Sequence, residues 1–235
     1  MDEILNKNLK FIFELFIGYN IAKFLYTILN NTILNVVIAV ILITLVEWLY
    51  YSIKFIRECE YNEELSRKYG VNVFSSKIRS EINEAYAMLS LIPIKVNDKY
   101  VWHVVCENLD DDKKDLLWHE VAHVKKNHSI KTYILDTIIE IIGVYILFES
   151  SIIKISVLLV IISTLVIMFI YRSYKLYFEI EADKYLVDKI GVENYKLIRS
   201  ITNMEVKYKY TEIVYSLLLG YPTLYFIKKY VINEK

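Results

Sequence analysis

The stretch Leu117-Trp118-His119-Glu120-Val121-Ala122-His123-Val124-Lys125 places two histidines four residues apart, with a glutamate directly after the first. On an α-helix that spacing stacks both imidazoles on one face about one turn apart, close enough to ligate a single metal ion. Glu120 lies beside that face, where a carboxylate can accept a proton from an activated water. Upstream, Asp110, Asp111 and Asp112 suit the positive end of a helix that should run to about Asn127, with Lys125 and Lys126 in its last turn.

Working back from that helix, residues 92–96 and 100–106 read as β-rich runs joined by the turn Asn97-Asp98-Lys99. Residues 76–90 suggest another helix and residues 71–74 a short extended run. A charged helix over residues 55–69 should stop at Gly70, a residue suited to the position just past a helix end. The motif helix is therefore expected beside a small sheet, with an extended edge next to the metal.

A catalytic zinc needs a third protein ligand and one position open to water. His128 is a poor candidate on a continuous helix, because five residues beyond His123 is about 140° further round the axis. It reads instead as an interface residue or a C-terminal dipole partner. His103, in a β-rich run, reads first as a half-buried sheet residue. Glu179-Ile180-Glu181-Ala182-Asp183 fits better: Glu179 and Asp183 share a helical face at i and i+4, so one can bind metal while the other holds a ligating histidine through its free ring nitrogen. Glu181 points elsewhere and reads as solvated.

The composition is 55% hydrophobic yet 24% charged, with mean hydropathy +0.32, so apolar and charged residues must be segregated along the chain. Residues 32–51 and 151–171 are apolar enough to cross a bilayer core about 30 Å thick. Residues 11–29 and 130–148 pair with them despite Glu14, Lys23, Asp136 and Glu140. The short turns Asn30-Asn31 and Glu149-Ser150 fold the four into two antiparallel hairpins. Lys and Arg number twelve in residues 52–129 and eight in residues 172–212, and neither hairpin tip has any, which places the polar regions on the cytoplasmic side. No cleavable signal peptide is expected. Lys+Arg and Asp+Glu both count 28, which removes the basic footprint of a nucleic-acid binder. Cys59 and Cys106 form no CxxC or Cys/His pattern and read as free thiols in a reducing compartment.

His-Glu-x-x-His with a later histidine at 128, then a membrane hairpin, then Glu-x-x-Ala-Asp over residues 179–183, resembles the HtpX and CAAX-prenyl-protease family of integral-membrane zinc metalloproteases. The resemblance covers most of the chain and extends to Tyr221-Pro222-Thr223-Leu224 through Ile227-Lys228-Lys229, which is similar to the family's terminal His-Pro-Pro segment. It implies Zn²⁺ held by His119, His123 and Glu179, Glu120 as the base, Asp183 behind the ligands, and a cytosolic helix over residues 213–232. The family usually has His where Tyr221 stands and Arg where this chain has Ile227, so Tyr221, through its hydroxyl, becomes the candidate oxyanion donor.

The expected fold is an α-helical membrane protein: four transmembrane helices in two hairpins, with a small cytosolic α+β zincin-like (gluzincin) catalytic unit. Residues 1–51 and 130–171 are the two hairpins, residues 52–129 the catalytic part, and residues 172–235 a cytosolic helical part carrying the zinc-ligand helix. The expected function is zinc-dependent endopeptidase activity on polypeptides, chiefly membrane proteins in quality control, at the cytosolic face of the cell membrane. A regulatory protease of the sensor type and a non-catalytic membrane scaffold with a vestigial site are the alternatives. Nucleic acid is not an expected partner, and oligomeric state is left open.

Overall fold

Two long helices open the chain. The computed structural model describes residues 2–77, 84–153, 157–200 and 208–233. Helix α1 (Asp2–Leu29) turns at Asn30, which takes the left-handed backbone φ of 44°, into α2 (Thr32–Glu58). The Asn31 side chain accepts the Leu34 N–H at 3.0 Å and so caps the start of α2. Among the described residues, three helical stretches are long and apolar enough to span a bilayer by length and composition: Ile12–Leu29, Thr32–Glu58 and Leu158–Ile190. The fourth expected span falls on α5 (His128–Ile153), which carries Lys131, Asp136, Glu140 and Glu149 and is not among the three. The last of the three lies in α6 (Val157–Ile190).

The chain divides into two units. Met1–Glu47 with Thr132–Arg172 is the apolar one, built around Leu15, Ala22, Val36, Ala39, Val40, Val144 and Phe148. Two glycines set its tightest approach. A Cβ on Gly18 would stand 2.7 Å from Val144 Cγ2, and one on Gly143 would stand 2.7 Å from Leu15 Cδ2. Small residues on facing helices let backbones come close enough for dispersion contacts, the main source of cohesion where water is absent. Glu140 finds a partner in this unit, accepting from the Thr44 hydroxyl at 3.4 Å.

Trp48–Lys131 with Ser173–Lys235 is the polar unit and contains a four-stranded sheet. Its strands are β1 (Cys59–Tyr61), β2 (Val73–Ser76), β3 (Ala85–Val96) and β4 (Lys99–Glu107), in the order β1-β2-β4-β3. Among the described residues only β2 and β4 run parallel, and β3 is an outer strand. Asn97 and Asp98 both take positive φ, which makes the β3–β4 connection the two-residue hairpin whose twist suits the flanking strands. Alternation places Val104 and Cys106 on one face with Phe55, Phe74 and Met88, and Val105 on the other with Leu65, Tyr69, Leu117 and Val121. Cys59 and Cys106 are buried and unbridged, their sulfurs 3.0 Å apart.

Three sequence expectations fail here. The helix expected over residues 55–69 is interrupted: α2 ends at Glu58, β1 pairs with β2, and a new helix α3 (Glu63–Tyr69) starts behind Asn62, whose side chain accepts the Leu65 N–H at 3.0 Å. Gly70 closes α3 in the left-handed conformation, as expected. The helix expected over residues 76–90 is strand from Ala85 onward, because those residues pair along β4 from Glu107 to His103; residues 78–83 lie outside the described ones. The helix expected over residues 213–232 is also broken. Gly220, at φ 72°, ends α8 (Lys209–Leu219), and a second piece, α9 (Leu224–Phe226), continues into a wider turn over Ile227–Val231.

The paired glycines give a direct test of the apolar unit. Gly143→Phe should lower the thermal midpoint of the purified protein through overpacking of about 1 to 3 kcal/mol. Ile142→Phe, at an exposed neighbour, should leave it unchanged. Equal midpoints for the two variants would mean that Gly143 does not set the helix approach.

Candidate metal centre

Helix α4 (Leu117–Lys125) is entered through a 3-10 turn over Asp111–Leu116 rather than a continuous α-helix, and Asp111 pairs with Lys114 within that turn. Leu117 and Val121 are fully buried toward the sheet and fix the rotation of α4. The next stripe round the helix carries His119 and His123, as the i, i+4 spacing requires. Across from them, α6 presents Glu179, Glu181 and Asp183, and is itself held by fully buried Leu186 packed with Tyr195, Ile227 and Val231.

The donor atoms of His119, His123 and Glu179 lie within 4.8 Å of one another, a group that could hold a metal ion. His119 Nε2 stands 3.1 Å from Glu179 Oε2 and 3.1 Å from His123 Nε2, and His123 Nε2 is 3.8 Å from Glu179 Oε1. Tetrahedral ligands on zinc, with bonds near 2.0 Å, have edges of roughly 3.3 Å, so the separations and the N, N, O donor set fit such an ion. Glu120 stands outside this trio: its Oε2 accepts the Ala87 N–H of β3 at 2.9 Å.

The other ring nitrogen of His119 is held from behind. Its Nδ1 is 2.8 Å from Asp183 Oδ1, and Asp183, only 1% exposed, also accepts from the Tyr195 hydroxyl at 2.9 Å and from Arg199. A carboxylate there keeps the proton on Nδ1 and turns the Nε2 lone pair toward the ligand trio. His123 is backed by an imidazole instead. Its Nδ1 is 3.1 Å from Nδ1 of His128, whose Nε2 is 3.1 Å from Glu181 Oε2.

Burial acts on every one of these groups, and the neighbours decide the outcome. Burial would lower the His119 pKa, but the hydrogen bonds to Asp183 and Glu179 override it and raise it to about 10, so a metal taking Nε2 displaces a proton from the ring. For His123, burial and the adjacent His119 together lower it to about 3. Burial raises Glu120 to about 7, with Glu179 adding to the rise and His119 opposing it. Burial would raise Asp183 as well, yet its bonds to His119 and Arg199 bring it down to about 2.

The structure thus brings together His119, Glu120, His123, Glu179 and Asp183. Tyr221, in the loop after α8, is half exposed and takes part in none of the contacts described above. Four partners were missed in the sequence. Tyr195 on α7 (Val192–Ile198) and Arg199 just past it share a face at i and i+4, which is the one local signal they carry. His128 lies five residues past His123 at the expected helix end, and Glu181 points off the face shared by Glu179 and Asp183, so neither reads from spacing as a partner of the site. Asn127 instead takes a left-handed φ of 56°, ends α4, and starts α5 at His128, which turns that ring back onto His123.

The model of peptidase family M48 matches residues 68–204, more than half of the chain. The chain belongs to peptidase family M48. The matched segment contains both α4 and the acidic stretch of α6; it excludes α1, α2 and Tyr221. Neither a curated protein nor a solved structure matches the chain. As an M48 member the protein is a metallopeptidase, and the three convergent ligand atoms are the group that could serve it.

Asp183→Asn removes the negative charge behind His119 while preserving shape. It should weaken metal affinity about 10- to 100-fold in a chelator competition. Glu193→Gln, on exposed α7 surface, should have no effect. Unaltered affinity in Asp183→Asn would show that His119 does not depend on that carboxylate.

Proposed function

We propose that this M48 protein is a membrane-embedded zinc endopeptidase of the HtpX and CAAX-protease type, cutting polypeptides at the cytosolic face of the cell membrane. The observation that carries the reading is the meeting of His119, His123 and Glu179 atoms with Glu120 beside them and Asp183 behind. Zinc held by that trio supplies Lewis-acid polarisation of a carbonyl and a water acidic enough to ionise near neutral pH. Glu120 then removes a proton from the attacking water at its carboxylate oxygen and returns it to the leaving amine. Asp183, with Tyr195 and Arg199, keeps His119 in the tautomer that ligates.

The substrate binds as an added strand on the outer edge of β3, beside Glu120. Such pairing satisfies main-chain groups without demanding one sequence, which suits broad cleavage of damaged membrane proteins. The edge is short. Trp48 Nε1 donates to the Leu89 carbonyl at 2.6 Å and the Leu91 N–H donates to the Ser52 hydroxyl at 2.8 Å, so α2 covers the strand from Leu89 onward and leaves residues 85–88, where the peptide takes the Ala87 N–H from Glu120. Tyr221 remains the proposed oxyanion donor, on the family resemblance alone.

Connectivity supports four spans. His119 and Glu179 meet at 3.1 Å although the chain between them runs through both α5 and α6. With the apolar part of α6 crossing the bilayer, α5 must cross as well for the chain to return to the side it left. The Glu140 contact to Thr44 lowers the cost of placing a carboxyl in such a span. The lysine and arginine excess in the two polar regions favours the cytoplasm as the side of the site.

Glu120→Gln in detergent or nanodiscs should retain stoichiometric zinc and lose at least about 10²-fold of casein or membrane-protein cleavage. Loss of zinc, or wild-type cleavage, would remove Glu120 from the role of base.

A further inference from the structure

We propose that His128 and Glu181 form a positioning relay that fixes the His123 imidazole with its Nε2 bare and aimed at the metal. The proton positions follow by elimination along the chain of contacts. Glu181 is a carboxylate whose Oε1 is paired with Lys126 Nζ at 3.2 Å and whose Oε2 is 3.1 Å from His128 Nε2. Paired with the Lys126 ammonium, the Glu181 carboxylate accepts and does not donate. His128 Nε2 therefore carries a hydrogen. In neutral His128 the other nitrogen, Nδ1, is then a bare acceptor. It faces His123 Nδ1 at 3.1 Å, so the hydrogen between the two rings belongs to His123. His123 Nε2 is left with a free lone pair, 3.1 Å from His119 Nε2 and 3.8 Å from Glu179 Oε1.

The surroundings are built to hold His128 in that orientation. The ring is 1% exposed and stacks on Phe178 of α6, with centroids 4.6 Å apart and planes 18° from parallel. The backbone sets its origin, since the left-handed turn at Asn127 places His128 at the first position of α5. The two ligating histidines are thus braced by the same helix through different means, His119 by Asp183 directly and His123 by Glu181 through an intervening imidazole. All three acids of residues 179–183 acquire a role: ligand, relay terminus and direct brace. Glu181 is half-buried between Lys126 and His128.

The relay rests on the metal-site reading, and zinc affinity of the purified full chain, measured by chelator competition, separates the two. If the wild type binds no zinc, the metal-site reading fails. If it binds, Glu181→Ala and His128→Phe should each weaken affinity about 10- to 100-fold. Phe keeps the ring against Phe178 but offers no acceptor. The double variant should bind no more weakly than His128→Phe alone, because Glu181 acts only through His128. His128→Asn, whose side-chain oxygen can stand where Nδ1 stood, should recover most of the loss, and the thermal midpoint of the metal-free protein should not track these changes. Wild-type affinity in Glu181→Ala overturns the relay. So do multiplied losses in the double variant, or losses that follow the metal-free midpoint. Glu181 is partly exposed, so that variant carries the test even where His128→Phe fails to fold.

Discussion

The contact between α4 and α6 is the constraint on which the polar unit depends. His119 meets Glu179 and Asp183 across 60 and 64 residues of chain. Closing so long a loop has an entropic cost that must be recovered in packing. Two apolar anchors recover it, Leu117 and Val121 against the sheet and Leu186 against Tyr195, Ile227 and Val231. Between those anchors lies a polar layer in which imidazoles and carboxylates are buried together. Such groups are tolerable only when each finds partners, and Asp183 finds three while Glu181 finds two.

That polar layer explains why one helix can serve both as a wall and as a source of ligands. Side chains at 179 and 183 rise one turn apart on the same stripe of α6, so one reaches the donor trio and the other the back of the His119 ring. Glu181 leaves α6 at a different angle and meets His128 because α5 begins beside it. Glu120 belongs to the neighbouring strip of α4 and is held by the backbone of β3. Glu120 and the strand edge are thereby tied in one hydrogen bond.

Much of this was legible in the sequence wherever spacing alone sets geometry. The i, i+4 pairs His119/His123 and Glu179/Asp183, the stop at Gly70 and the turn at Asn97-Asp98 depend on local backbone rules and stand as read. The missed strands share one cause, which is that tertiary pairing overrides local preference. Cys59–Tyr61 is too short to announce itself as a strand until β2 lies beside it, and residues 85–89 become strand because β4 offers them partners from Glu107 to His103. His128, which braces His123, was hidden by a single left-handed position. Asn127 redirects His128 against a helical extrapolation, and Gly220 similarly splits a helix expected to be continuous. Asparagine at a positive φ carries a weaker sequence signal than glycine.

The measurement closest to the central claim is zinc K-edge X-ray absorption on the purified protein with one equivalent of zinc. The expected spectrum has four or five nitrogen and oxygen scatterers near 2.0 Å, with the multiple-scattering signature of two imidazoles and no sulfur shell. A sulfur shell near 2.3 Å, a single imidazole, or six oxygen neighbours would contradict a centre built from His119, His123 and Glu179.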